Sequence, residues 1–324
     1  MINYCTRVEI PSSPYKIDYK DDIMLIGSCF AENIGVKMEE MMFRALKNPF
    51  GVLYNPSSVA NACIHLANPK PFTTGDLFLY NEMYNSFMHS SKFSHADRDE
   101  CLRLINSSLT ESAKRFASIN HLIITFGTAY VYKLKSTGQT VANCHKLPAA
   151  QFIRERLTTD EIVDEWSSLL CKLLSINASM KVIFTVSPIR HFRDGAHLNQ
   201  VSKATLLLAV QSLCEKFPDT ATYFPAYELM MDELRDYRFY ADDMLHPSPV
   251  AIDYIWERFC ETYMEPSTRE TIREALDLSK MLNHRPLNTS SVLYKQFLTE
   301  TMLKTERFRE KYPYICIPNE IYKC

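Results

Sequence analysis

The stretch "IMLIGSCFAENIG" (residues 23–35) decides how the chain is read. An apolar run over residues 23–26 stops at Gly27, Ser28 and Cys29 follow side by side, and helical spacing begins at Phe30. A short, wholly apolar run bounded by glycine reads as a strand buried on both faces. Phe30, Ile34, Met38, Met41 or Met42, and Ala45 fall on one stripe, so residues 30–46 read as a helix. Gly35 weakens that helix but suits close packing on a sheet. A residue after a strand and before a helix sits where backbone N–H groups point outward and the helix dipole favours negative charge. Those surroundings lower a thiol pKa and stabilise an oxyanion. Ser28 and Cys29 are therefore candidate nucleophiles. The plainer roles for the same residues are a helix N-cap and a small buried side chain.

The strand pattern recurs. "HLIITFG" (121–127) ends at a glycine and "KVIFTVSP" (181–188) at a proline, with helical periodicity over 98–118, 159–176 and 199–216. Residues 48–60 read as a loop with two prolines and then a helix capped by Ser57 or Ser58. Residues 71–97 read as loops and short strands, 129–134 as extended, and 220–230 as a short strand and helix. Strands alternating with helices predict a parallel sheet covered on both faces, with ligands at the carboxyl ends of the strands. From residue 266 the text changes to two charged amphipathic helices split by "NHRPLN". The expected organisation is an α/β domain over 1–265, with an irregular insertion about 48–97, and a helical extension over 266–324 packed on it.

Composition narrows the function classes. Among 324 residues, 46% are hydrophobic and 23% charged, with a net charge of −2, so nothing invites nucleic acid or an anionic membrane. No apolar run approaches the ~18 residues a span requires, and the first residues lack an apolar signal core. The ten cysteines form no C-x-x-C pair, which argues against zinc ribbons and dithiol redox chemistry. Reduced thiols in a cytoplasmic protein without cofactor are expected.

A second motif lies in "DDMLHPS" (242–248): Asp243 and His246 are three apart, so a turn aims both side chains the same way. A histidine acting as base needs a carboxylate to hold its tautomer and stabilise its charged form. Asp242 is the weaker candidate for that partner. Arg190, His191, Arg193 and Asp194 follow the third strand directly, where a guanidinium can hold a carboxylate or phosphate. Asn143, His145 and Lys146 are further candidates for a pocket wall, as are His89 and His95. No i, i+4 histidine pair supports a metal centre, and none is expected.

A nucleophile after the first strand, a glycine after a middle strand and D-x-x-H after the last follow the order of SGNH (GDSL-like) hydrolases. "GSCFA" (27–31) resembles the signature of the GSCFA family, placed near those hydrolases. So do "NPFGVLYNP" (48–56), "TFGTAYVY" (125–132), "NCHKLP" (143–148), "TVSPIRHFRDG" (185–195), "SKATLL" (202–207) and "DELRDYRFYADDMLHPS" (232–248). The resemblance spans roughly residues 15–265, with "NHRP" (283–286) beyond it. It implies a flavodoxin-like, three-layer α/β/α sandwich and hydrolysis of acyl esters, including O-acyl groups on carbohydrates, by a Cys/Ser-His-Asp arrangement. Laid on Gly-Asp-Ser, Gly27-Ser28-Cys29 puts Cys29 at the attacking position; a shift by one puts Ser28 there. The Gly-x-Asn-Asp block maps onto Gly127-Thr128-Ala129-Tyr130, so the oxyanion-hole asparagine is absent and Gly127 and Thr128 stand in for it. Arg190, His191 and His145 are the expected substrate-binding residues. The alternatives are an acyltransferase of the same fold and an inactive ligand-binding module.

Overall fold

The computed structural model describes residues 6–288 and 290–317, so Cys5 and Cys324 lie outside the described residues. Its centre is a parallel sheet in the order β2-β1-β5-β9-β10, formed by β1 (Ile23–Gly27), β2 (Ala45–Lys47), β5 (His121–Phe126), β9 (Lys181–Val186) and β10 (Ala221–Phe224). A hairpin of β3 (Phe78–Tyr80) and β4 (Met83–Asn85) stands apart. So does an antiparallel sheet, β7-β6-β8, of β6 (Tyr130–Leu134), β7 (Thr140–Val141) and β8 (Phe152–Arg156). The helices are α1 (Cys29–Glu40), α2 (Pro56–Ala67), α3 (Arg98–Phe116), α4 (Thr159–Ile176), α5 (Gly195–Lys216), α6 (Ala226–Glu228), α7 (Pro249–Tyr263), α8 (Pro266–Leu282) and α9 (Val292–Lys311). One π-helical turn, Leu229–Glu233, continues α6.

Strand alternation divides the interior into two cores, one per face. Met24, Ile26, Leu122, Ile124, Phe126, Val182 and Phe184 face one core, which α2, α3, α4 and α5 cover. Ile23, Leu25, Ile123, Ile183 and Phe224 face the other, under α1, α7 and α8. Each large apolar side chain removed from water there contributes about 1.5–3 kcal/mol. The expected sandwich of a parallel sheet between helical layers, with C-terminal helices added, is the architecture found. Ile272, Ala275 and Leu278 of α8 and Phe308 of α9 belong to the second core, so both helices pack on the sheet domain.

Three boundaries differ from expectation. The first helix ends at Glu40, because Met42 takes φ 63° and turns the chain back. Residues 45–47 then pair with Ile23, Met24 and Leu25 as an edge strand, so the apolar spacing beyond residue 40 serves a turn and a strand. Helix α2 is capped by Asn55, whose Oδ1 accepts the Ser58 N–H at 2.8 Å, and not by Ser57 or Ser58. Pro56 fits its first turn because that position needs no amide hydrogen. Within 48–97, α2 is a full member of the helical layer through Val59, Ala60, Cys63 and Leu66, so this stretch is not irregular throughout.

Candidate active site

The chain reverses its direction of strand addition between β1 and β5, which lie side by side in the sheet. Open α/β sheets bind ligands at such a switch point, outside the carboxyl ends of the strands. Here Gly27 is in register with Thr125, and its φ of 148° suits glycine alone. The turn is held from below: the Gly27 N–H donates to Asn48 Oδ1 at 2.9 Å, and Asn48 Nδ2 donates to Glu32 Oε2 at 2.8 Å. Ser28 caps α1, its buried Oγ accepting the Phe30 N–H at 3.2 Å. Cys29 is the first helical residue and only half-buried, with Sγ 3.6 Å from the Tyr54 hydroxyl. Burial, then the Cys29 thiol beside it, raises the Tyr54 pKa.

A cleft of about 430 Å³ opens over these strand ends. Ser28, Tyr54, Asn55, Thr128, Ser187, Arg190, His191 and His246 line it, together with Tyr130, Tyr132 and Arg154 from the antiparallel sheet. Cys29 is not among the lining residues; its sulfur lies behind Tyr54, which is. The D-x-x-H motif forms a compact turn. Asp243 Oδ1 accepts the N–H groups of Leu245 and His246, each at 2.9 Å, and Oδ2 meets His246 Nδ1 at 2.5 Å. Those two amides, then the imidazole, hold the Asp243 pKa down at about 2. With Nδ1 engaged, Nε2 is the nitrogen left to exchange a proton. Asp242 is exposed, and its side chain makes none of these bonds.

Gly127 and Thr128 lie at the end of β5 as expected, but both amides are committed: they donate to the Tyr54 carbonyl at 2.7 and 3.0 Å. The Thr128 hydroxyl lies 3.1 Å from Ser202 Oγ. Arg190 and His191 line the cleft; His145 does not. Its ring Nε2 binds Ser86 O at 2.8 Å, and it packs edge-on to Phe78. The expected substrate-binding residue His145 is therefore not brought to this cleft; its ring sits in an aromatic wall. His89 belongs to the same wall, stacked on Phe50, with burial driving its pKa down to about 3. His95 pairs with Tyr84 through a β-bridge and caps its own turn at Asp97. Among the described residues, no group of three His, Cys, Asp or Glu could hold a metal ion, and no helix is long and apolar enough to cross a membrane.

Residue reading missed Lys203. Fully enclosed in α5, its Nζ donates to Gly127 O at 2.8 Å and to Ser187 O at 2.7 Å, tying the ends of β5 and β9 together under the cleft. Burial lowers its pKa to about 7. The signal was present: Lys203 lies in the apolar stripe of Leu206, Val210 and Leu213, where a charge needs a specific reason. Burial, then the Lys203 and His246 charges, lowers the His191 pKa to about 4, so His191 is a neutral imidazole near pH 7.

Comparison with known proteins adds the following. The GSCFA family profile matches residues 22–259, and the profile "GSCFA domain protein, C-terminal domain" matches residues 276–324. No curated protein matches the chain. A solved structure similar in outline is an acetyl xylan esterase from the rumen bacterium Butyrivibrio proteoclasticus, at 10% identity and TM-score 0.37 over 74% of this chain. The chain spans 63% of that structure's length. By the extent of the first match, the chain belongs to the GSCFA family.

Proposed function

We propose that this protein is an acyl-transfer enzyme, an ester hydrolase of SGNH type, with Cys29 as nucleophile. The observation that carries the reading is His246, its Nδ1 fixed by Asp243, on the wall of the cleft that Ser28 lines at the mouth of α1. In the forward step His246 Nε2 takes the Cys29 proton and the sulfur attacks the ester carbonyl. The tetrahedral oxyanion faces the Cys29 amide, which lies at the first helical position, outside the i→i−4 ladder. The imidazolium then protonates the leaving alcohol, and water, deprotonated by the same ring, cleaves the thioester. Acyl transfer to another acceptor replaces water in that last step. Cys29 is favoured over Ser28 because the serine oxygen already caps the helix and is buried.

Turnover of p-nitrophenyl acetate and of acyl thioesters by the wild type and by Ser28→Ala, Cys29→Ala and His246→Ala tests this. His246→Ala is expected to lower kcat/KM by about 10²- to 10⁴-fold, the usual contribution of a general base. Cys29→Ala is expected to abolish the thiol-dependent reaction. Undiminished turnover by His246→Ala would rule the mechanism out.

A second reading, a binding module without turnover, is favoured by one observation: the Gly127 and Thr128 amides are engaged by Tyr54 and unavailable to an oxyanion. Rapid, selective iodoacetamide labelling of Cys29 supports the enzyme. Slow, even labelling across the cysteines supports the module.

A further inference from the structure

The charges lining the cleft do not balance. Three guanidiniums, Arg154, Arg190 and Arg193, share it with one carboxylate, Asp194. Arg154 takes that carboxylate for itself, with two parallel bonds of 2.7 and 2.6 Å, and lays its guanidinium on the Tyr130 ring at 3.9 Å. Arg190 is left with a thioether: its Nη2 lies 3.2 Å from Met231 Sδ, a weak acceptor. Its Nε is buried and has no hydrogen-bond partner in the protein. Nearby acids do not reach it, for Asp232 pairs with Arg235 and Asp236 with Arg238. Among the described residues, neither Arg190 nor Arg193 forms an ion pair; Arg193 stands 5.4 Å from the Tyr132 ring. His191, between them in sequence, also has a buried Nε2 without a partner. Buried donors are normally satisfied, and a guanidinium fork fits the paired oxygens of a carboxylate or phosphate.

We propose that the cleft selects acyl compounds bearing an anionic group, a carboxylate or phosphate, which Arg190 and Arg193 hold while the carbonyl lies toward Cys29. This substrate class rests on the acyl-transfer reading. A neutral ester leaves the Arg190 guanidinium without a charged partner, whereas an anion in the cleft supplies one and cancels the unmatched charge.

The test compares mono-(4-nitrophenyl) succinate with p-nitrophenyl acetate on the full-length protein, and measures binding of succinate and inorganic phosphate by titration calorimetry. The succinate ester is expected to show a kcat/KM about 10- to 100-fold above the acetate, the factor a charge-assisted hydrogen bond supplies. Arg190→Gln, and independently Arg193→Gln at an exposed position that tolerates change, are expected to lower that ratio about tenfold and to weaken anion binding. The two calorimetric arms tell a carboxylate site from a phosphate site. Equal kcat/KM for both esters with no heat from either anion overturns the anion site, and persisting acetate turnover then leaves the acyl-transfer reading intact. Arg190-dependent anion binding without turnover of either ester does the reverse.

Discussion

At the residue scale, the site depends on how burial and hydrogen bonds divide protons among its side chains. Asp243 stays ionised because two amides and an imidazole converge on it, so His246 keeps its orienting partner down to about pH 2. This pair was legible in the sequence, since its geometry is local: three residues of spacing and one turn. The role of Tyr54 was not, because it comes from neighbours across the fold; of Lys203 only its unusual place in an apolar stripe was legible, not the two carbonyls it ties together. The buried histidines carry a pH signature. Between pH 6.5 and about 4 the unfolded chain binds a proton at His191 that the folded chain refuses, and at His89 the window runs from 6.5 to about 3. The unfolded state therefore holds more protons there, and stability falls as pH drops through that range. His89→Phe, similar in shape and unable to titrate, is expected to lose less stability than wild type between pH 7 and pH 5. Urea midpoints at the two pH values measure it; identical losses in both proteins remove His89 from the account.

At the scale of elements, the β1–α1 turn is built around a glycine that no other residue replaces. A Cβ on Gly27 would stand 2.2 Å from the Thr125 carbonyl oxygen, backbone of the adjacent strand, and φ 148° strains any L side chain. Gly27→Ala is expected to lower stability by about 3 kcal/mol or more, as core overpacking added to backbone strain does. Thermal unfolding measures it, and an unchanged midpoint contradicts the packing described. Gly35 acts similarly between layers, where a Cβ would lie 2.6 Å from Lys47 Cβ on β2, as its position in an otherwise good helix suggested. The strands at 23–27, 121–126 and 181–186 were legible because each is built on a short run of apolar residues buried on both faces. Strands β2 and β8 were not. The first is three half-buried residues at a sheet edge, and the second is two apolar residues followed by three charged ones, with no period-2 alternation to mark it.

Over the whole molecule, helices from both ends of the chain close the second core, and the site turn depends on that core for support. Glu233, at the end of the π turn, accepts Arg258 Nη1 from α7 at 2.6 and 2.9 Å, and Arg258 Nη2 donates to Val8 O at 2.8 Å, binding the first described residues to the layer. The C-terminal helices were legible as amphipathic, and their apolar stripe is what docks. Leu278→Ala, which empties a fully buried position shared by α8 and the sheet, is expected to cost about 2–5 kcal/mol in denaturant unfolding. A loss no larger than a surface substitution gives means that α8 is not part of this core. The central claim is chemical: a thiol at the mouth of α1, activated by the imidazole across the cleft. Its most direct test is peptide mapping by mass spectrometry of protein quenched in acid moments after mixing with p-nitrophenyl acetate. The account predicts an acetyl group on Cys29 in the wild type and almost none in His246→Ala. Acetyl spread evenly over the exposed Cys171 and Cys316, or labelling of Cys29 that His246→Ala leaves untouched, contradicts it.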